Sequence, residues 1–290
     1  MGAVTSSLPR AVEWWFAPMP LGRVAVFRTV VYLFIFVDVL ITNAWIGDHG
    51  AVAGSFYEPL LVGRLLRLPV PGSVLVSVVQ FALLTFAAVA ATGRLPRLAG
   101  AAVFILYFEW MVIAMSYGKV DHDRFAFLIA LAVLPTVGRA RWGDQTPSEA
   151  AGWALRAVQV AVVLTYFLSI FAKLRFGGLE WLNGATLVRA VIRRGTVLSE
   201  PLLEYPWVLQ AAQYGLFVFE ALSPLLLVGG RFGRRFLIAA AVFHVVTFAT
   251  ISIIFLPHVV CLLAFVELER IPTAARLRAL AVKRTGYGSH

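Results

Sequence analysis

The chain has 290 residues, 60% of them hydrophobic and 14% charged, with a formal net charge of +10. A mean hydropathy of +0.85, together with a charged fraction far below the roughly 25% of ordinary soluble domains, excludes a soluble globular domain. One cysteine, Cys261, excludes an intrachain disulfide or a cysteine metal cluster.

Residues 1–22 form an N-terminal segment without the charged-then-apolar order of a cleaved signal peptide. Eight apolar segments follow, at 24–41, 72–92, 98–117, 124–138, 153–174, 207–229, 235–255 and 257–268. Most are long enough for helices that cross a bilayer, which needs about 20 residues each. They predict an all-α, polytopic transmembrane bundle of about eight spans over residues 23–270, with no soluble domain. The alternating short strands of a membrane β-barrel are not seen. The fourth and eighth segments are short, and Pro257 stands between the last two, where proline breaks helices. Six or seven spans is therefore the competing count. Turn residues punctuate the connections, at Pro69 and Pro71, Gly93 with Pro96, Gly143 to Pro147, and Gly229-Gly230. A basic tail occupies 271–290.

Charge orients these segments. With the N-terminus inside, the inner side receives most of the basic residues, among them Arg94, Arg97, Arg139, Arg141, Arg231, Arg234, Arg235 and the tail. This bias predicts a multi-pass protein of the plasma membrane with both termini cytoplasmic. Arg175, Arg189, Arg193 and Arg194 gather in 175–206, which reads as an amphipathic segment on the outer surface; 55–68 reads as a second. Membrane lipid is the expected partner, including anionic lipid for the tail. No basic cluster is interleaved with aromatics for stacking on bases, so nucleic acid is not.

Ionisable groups inside spans cost about 2.5–3.5 kcal/mol each on insertion scales and need a reason. Arg28 and Asp38 lie in the first segment, Glu109 in the third, Glu220 in the sixth and His244 in the seventh. Interhelical pairing explains Arg28, Asp38 and Glu220 as intramembrane structural groups, with Arg28–Glu220 as a candidate ion pair. A lone His such as His244 more often completes a core than catalyses. His122 sits between Asp121 and Asp123 in a connecting loop, where its charge is easily tuned near neutral pH; a solvated loop is the simpler reading. Lys173 closes the fifth segment. Either it snorkels to the headgroups or, in an apolar setting, it acts as a base. The five histidines, at 49, 122, 244, 258 and 290, show no i, i+4 pair and no HExxH, so no metal is expected. There is no P-loop, GxGxxG or GxSxG.

The stretch from Tyr166 through Lys173-Leu174 to Trp181-Leu182-Asn183-Gly184-Ala185-Thr186 resembles the signature of the vitamin K-dependent gamma-carboxylase membrane domain. That domain is shared with bacterial HTTM (horizontally transferred transmembrane) proteins. Four further pieces resemble the family in order: Arg28 with Asp38, Asp121-His122-Asp123 before a span ending at Pro135, Glu220-Ala221-Leu222-Ser223-Pro224, and Phe243-His244 with Ile254-Phe255. The resemblance covers about residues 20–270. It implies that Lys173 is the base and His122 a second catalytic group, and the charge-based topology puts both at the outer face. Tyr166, Trp181 and His244 would bind a reduced isoprenoid quinone of menaquinone or vitamin K type. The implied activity is carboxylase-like, oxygen-dependent quinol chemistry. Where the family has a second lysine, Ala172 stands here, and the carboxylase's large extra-membrane domain has no counterpart before His290. Peptide glutamate carboxylation is therefore not expected. The alternative is a non-enzymatic membrane partner that assists maturation or export of another protein. A transporter ranks third, because no inverted repeat is evident.

Overall fold

The computed structural model describes residues 10–271, so the N-terminal residues 1–9 and the basic tail beyond 271 lie outside the described residues. The described chain is mostly helical, with almost no strand. Its helices are α1 (Arg10–Phe16), α2 (Leu21–Val37), α3 (Leu61–Leu65), α4 (Ser73–Ala91), α5 (Leu98–Met115), α6 (Phe125–Val133), α7 (Glu149–Gly177), α8 (Ala185–Arg194), α9 (Pro206–Ala221), α10 (Leu225–Val228), α11 (Gly230–Ile251) and α12 (Leu256–Leu262). Two short strands, β1 (Met19–Pro20) and β2 (Pro147–Ser148), pair antiparallel.

Five helices are long and apolar enough to cross a membrane: Leu21–Thr42, Ser73–Ala91, Leu98–Met115, Glu149–Gly177 and Gly230–Ile251. Of the other three apolar segments, two are interrupted at a proline, which has no backbone donor, and the third is short. Segment 124–138 is α6 followed by a 3₁₀ turn at Leu134–Val137 that contains Pro135. Segment 207–229 is α9 and the short α10, parted at Ser223-Pro224. Segment 257–268 begins with Pro257 in the first turn of α12 and ends in 3₁₀ turns.

The chain divides into two compact units: residues up to 120 with 130–157 and from 266 onward, and residues 121–129 with 158–265. Helix α7 contributes its first residues, to 157, to one unit and the remainder to the other.

In the first unit, Val24, Phe27, Val31 and Ile35 are fully buried along one face of α2. The matching stripe on α4 is Val76, Val79, Leu83, Ala87 and Ala90. Lipid is as apolar as these side chains, so such faces associate by close packing, which favours small residues. Gly100 shows this: a Cβ there would lie 2.6 Å from the Tyr32 hydroxyl and 2.8 Å from Pro135. The buried Arg28, Asp38 and Glu269 are tied internally, as hydrocarbon favours, where each unsatisfied polar group costs several kcal/mol. Arg28 donates from Nη1 to the Gly138 carbonyl at 2.7 Å and from Nη2 to the Ala140 carbonyl at 3.3 Å. Asp38 opens a π-helical turn, Asp38–Thr42. Its Oδ1 accepts from Thr42 Oγ1 at 2.9 Å and Asn43 Nδ2 at 2.7 Å, and its Oδ2 from the Tyr107 hydroxyl at 2.8 Å. Arg23 forks onto Glu269, Nε to Oε2 at 2.8 Å and Nη2 to Oε1 at 2.6 Å.

In the second unit, α8 turns Leu187 and Val191 inward and leaves Arg189, Ile192 and Arg193 exposed, the two-faced pattern expected of segment 175–206. Its connection to α9 is bonded to the last turn of α11. Ser199 Oγ donates to the Thr250 carbonyl at 2.5 Å, Thr196 N to the same carbonyl at 3.1 Å, and Thr196 Oγ1 to the Ala249 carbonyl at 2.7 Å. These are carbonyls that a helix end cannot satisfy itself. Residue Ser252 then takes a left-handed conformation, φ 54°, and releases the chain into α12.

Candidate functional site

Tyr166, Ser169 and Lys173 follow one another on α7 at spacings of three and four, so they share a face of the helix. In the second unit that face borders a cavity of about 670 Å³, within the roughly 300–1,000 Å³ of small-molecule sites. Its walls are mainly apolar: Leu187 and Val191 from α8, Leu216 and Phe219 from α9, Val242 and Val246 from α11. Phe219 is stacked between Phe236 and Phe243, with ring centroids 5.0 and 4.8 Å away. Val242 and Val246 are also more than half exposed, so the cavity reaches the outer surface along α11. That helix carries only 11% of its apolar window buried, against 61% for Leu21–Thr42, and its outer face suits lipid.

The polar groups gather among these apolar walls. The Lys173 ammonium bonds the Glu220 carboxylate through Oε2, and Ser169 Oγ donates to Oε1 at 3.3 Å. Lys173 Nζ also lies 4.8 Å from the centre of the Trp181 ring, a cation–π contact. Trp181 is held in turn by Gln213, whose amide nitrogen donates to the Trp181 carbonyl while its oxygen accepts from Leu187 N at 3.0 Å. On the same cavity, the Tyr166 hydroxyl bonds His244 Nε2 at 2.8 Å. His258 meets the Tyr166 ring edge-on at 4.6 Å and stands 5.5 Å from the His244 ring. His122 borders the cavity from the 3₁₀ turn His122–Arg124, with its ring 6.3 Å from that of Phe255.

The second unit therefore brings together Lys173, His122, Tyr166 and His244, with Trp181 against the lysine. Arg28 and Asp38 make their hydrogen bonds within the first unit, and neither lines this cavity. The anticipated pairing of Arg28 with Glu220 is replaced: Arg28 spends its donors on two carbonyls, and Glu220 takes Lys173. Sequence reasoning missed two contributors and mispaired a third. Ser169 was discoverable from its helical spacing to Lys173. Glu220 was noticed but given the wrong partner. His258 carried no local signal. It is 2% exposed, and neither ring nitrogen has a hydrogen-bond partner; His244 Nδ1 also lacks one. Among the described residues no cluster of three or more His, Cys, Asp or Glu is arranged to hold a metal ion.

Comparison of the chain with protein-family models, with curated proteins and with solved structures finds no match.

Chemically, the arrangement offers an apolar chamber with one ammonium–carboxylate pair, one phenol and three imidazoles along its wall. It can hold an amphipathic molecule by its tail and exchange protons with its head.

Proposed function

We propose that this chain is an eight-span protein of the plasma membrane with both termini cytoplasmic, and that its cavity binds a reduced isoprenoid quinone for oxygen-dependent, carboxylase-like quinol chemistry. The observation that carries this reading is the Lys173–Glu220 pair set in the wall of an apolar cavity that also holds Tyr166, His244 and His122. The resemblance of the Tyr166–Thr186 stretch to the vitamin K-dependent gamma-carboxylase membrane domain and to HTTM proteins supports it.

The residues present fit such a ligand. The walls suit a polyisoprenoid chain, and the exposed flank at Val242 and Val246 lets that chain pass into lipid. A reduced quinone, when bound, supplies two weakly acidic hydroxyls and a pair of electrons. Lys173, once it has given up its own proton, is the group to take a hydroxyl proton at Nζ, with the Trp181 face stabilising the resulting ammonium. Tyr166 holds His244 by its Nε2, leaving Nδ1 free to exchange a proton. His122 is the second proton-transfer group. The packed Phe219, Phe236 and Phe243 rings exclude water from this end.

The test is binding of menaquinol to the purified protein in detergent, beside Lys173→Ala and His244→Ala. Saturable binding weakened by His244→Ala, with oxygen-dependent oxidation lost in Lys173→Ala, is expected. Absence of binding in every variant, or full turnover in Lys173→Ala, overturns the reading.

A second reading, as a membrane partner for maturation or export of another protein, draws on the exposed Arg189, Ile192 and Arg193 beside an open groove lined by Asn183, Trp207 and Gln210. It predicts that reversing Arg189 and Arg193 to Glu abolishes function in cells while menaquinol binding stays unchanged.

A further inference from the structure

An ammonium has three donors and no lone pair, so Lys173 cannot accept a proton while it stays in its ion pair. Something beside it must first take one. The other titratable groups bordering the cavity are His122, Asp123, Tyr166, His244 and His258. The Tyr166 hydroxyl is already engaged with His244. Glu220 Oε2 is already in contact with Nζ, so transfer to it requires no movement of either side chain.

We propose that Glu220 is a positioning residue that holds the proton of Lys173 when a ligand fills the cavity. The N–H bond at Lys173 Nζ breaks and an O–H bond forms at Glu220 Oε2, converting ammonium and carboxylate to amine and carboxylic acid. The amine then takes the proton of a weakly acidic ligand hydroxyl, leaving the negative charge on the ligand oxygen beside the re-formed ammonium. The net charge of lysine, glutamate and ligand is zero at every stage.

The physical reason is desolvation. Charges moved out of water are penalised steeply, and a buried group tends to neutralise instead. Filling the cavity displaces whatever water reaches the pair, and proton transfer within the pair removes both charges together. The neighbours set the direction. Ser169 Oγ at Oε1 keeps Oε2 turned toward Nζ. The Trp181 face at 4.8 Å favours the ammonium once the ligand carries the counter-charge. This inference rests on the reading of the cavity as a site for a hydroxyl-bearing lipid.

The experiment is infrared difference spectroscopy on the full chain in detergent, with two probes, decane and a short-chain menaquinol under reductant. Decane fills the cavity without a headgroup, so it tests the first transfer alone. A protonated-carboxyl band with decane, absent in Glu220→Gln, is expected. With menaquinol, Glu220→Gln lowers oxidation by about a hundredfold, as for loss of a proton-transfer group, and moves its pH profile. Glu220→Asp, which restores the carboxyl, stays within about tenfold of the parent. No band with either probe overturns the inference, as does a Glu220→Gln variant with unchanged pH profile. Failure of menaquinol to bind overturns the quinol reading instead, and the decane band still decides the role of Glu220.

Discussion

The Lys173 ammonium on α7 and the Glu220 carboxylate on α9 form one ion pair, 17% and 8% exposed, at the wall of an apolar cavity. Removing one partner of a buried pair leaves the other uncompensated, which costs about 3–5 kcal/mol, whereas replacing both by apolar residues of similar volume is often neutral. Lys173→Met and Glu220→Leu should each lower the unfolding midpoint in detergent, and the double variant should recover most of the loss. A double-mutant cycle checks this; additive losses would show that the two residues are energetically independent.

Tyr166 holds His244 through a single hydrogen bond. Tyr166→Phe keeps the ring packed against Phe219 and His258 but leaves His244 with no partner at either nitrogen. A loss of about 1–3 kcal/mol is expected, the cost of one unsatisfied buried group. Menaquinol affinity should fall with it. Thermal unfolding and ligand titration on the same preparation measure both.

Gly152 sits where the chain approaches itself. A Cβ at this position would lie 2.0 Å from the Ala17 carbonyl oxygen, a backbone atom that cannot turn aside. Gly152→Ala should therefore destabilise by several kcal/mol, although alanine is the better helix former. Gly215 has no atom within 4 Å of such a Cβ, so Gly215→Ala should be neutral or slightly stabilising. Equal behaviour of the two variants in expression and unfolding would contradict the close approach.

Glu269 gives the first unit a dependence on pH. Burial alone pushes its carboxyl upward, but the hydrogen bonds and charge of Arg23, with that of Arg270, carry it below the usual carboxylate range. A carboxyl whose folded value is depressed contributes stability that is fully present above its unfolded value, about 4.3, and is lost as pH falls through the folded one. The unfolding midpoint should thus drop more steeply below about pH 4.3 in the parent than in Glu269→Gln. Parallel curves for the two proteins would remove Arg23–Glu269 as an acid-sensitive contact.

Composition and the lengths of apolar runs were enough to read a helical membrane chain, because a bilayer demands long segments with their backbone satisfied internally. The five helices long enough to cross it coincide with apolar runs visible in the sequence. The expected spans at 124–138 and 207–229 came out divided at Pro135 and Pro224, which remove donors inside them, while 257–268 came out as the short α12, opened by Pro257, and 3₁₀ turns. The amphipathic reading of 175–206 was legible as well: Arg189 and Arg193 recur four residues apart, opposite Val191.

Side-chain partnership was not legible. Charge alone matches Glu220 equally with Arg28 or Lys173, and only the packing of α7 against its neighbours in the second unit decides for Lys173. The same holds for Tyr166 with His244, which are 78 positions apart, and for His258, whose burial follows from where Pro257 starts α12. Helical period fixes which residues share a face of one helix, so Tyr166, Ser169 and Lys173 could be grouped beforehand. It is silent on which face of another helix they meet, because that depends on the shapes of both surfaces.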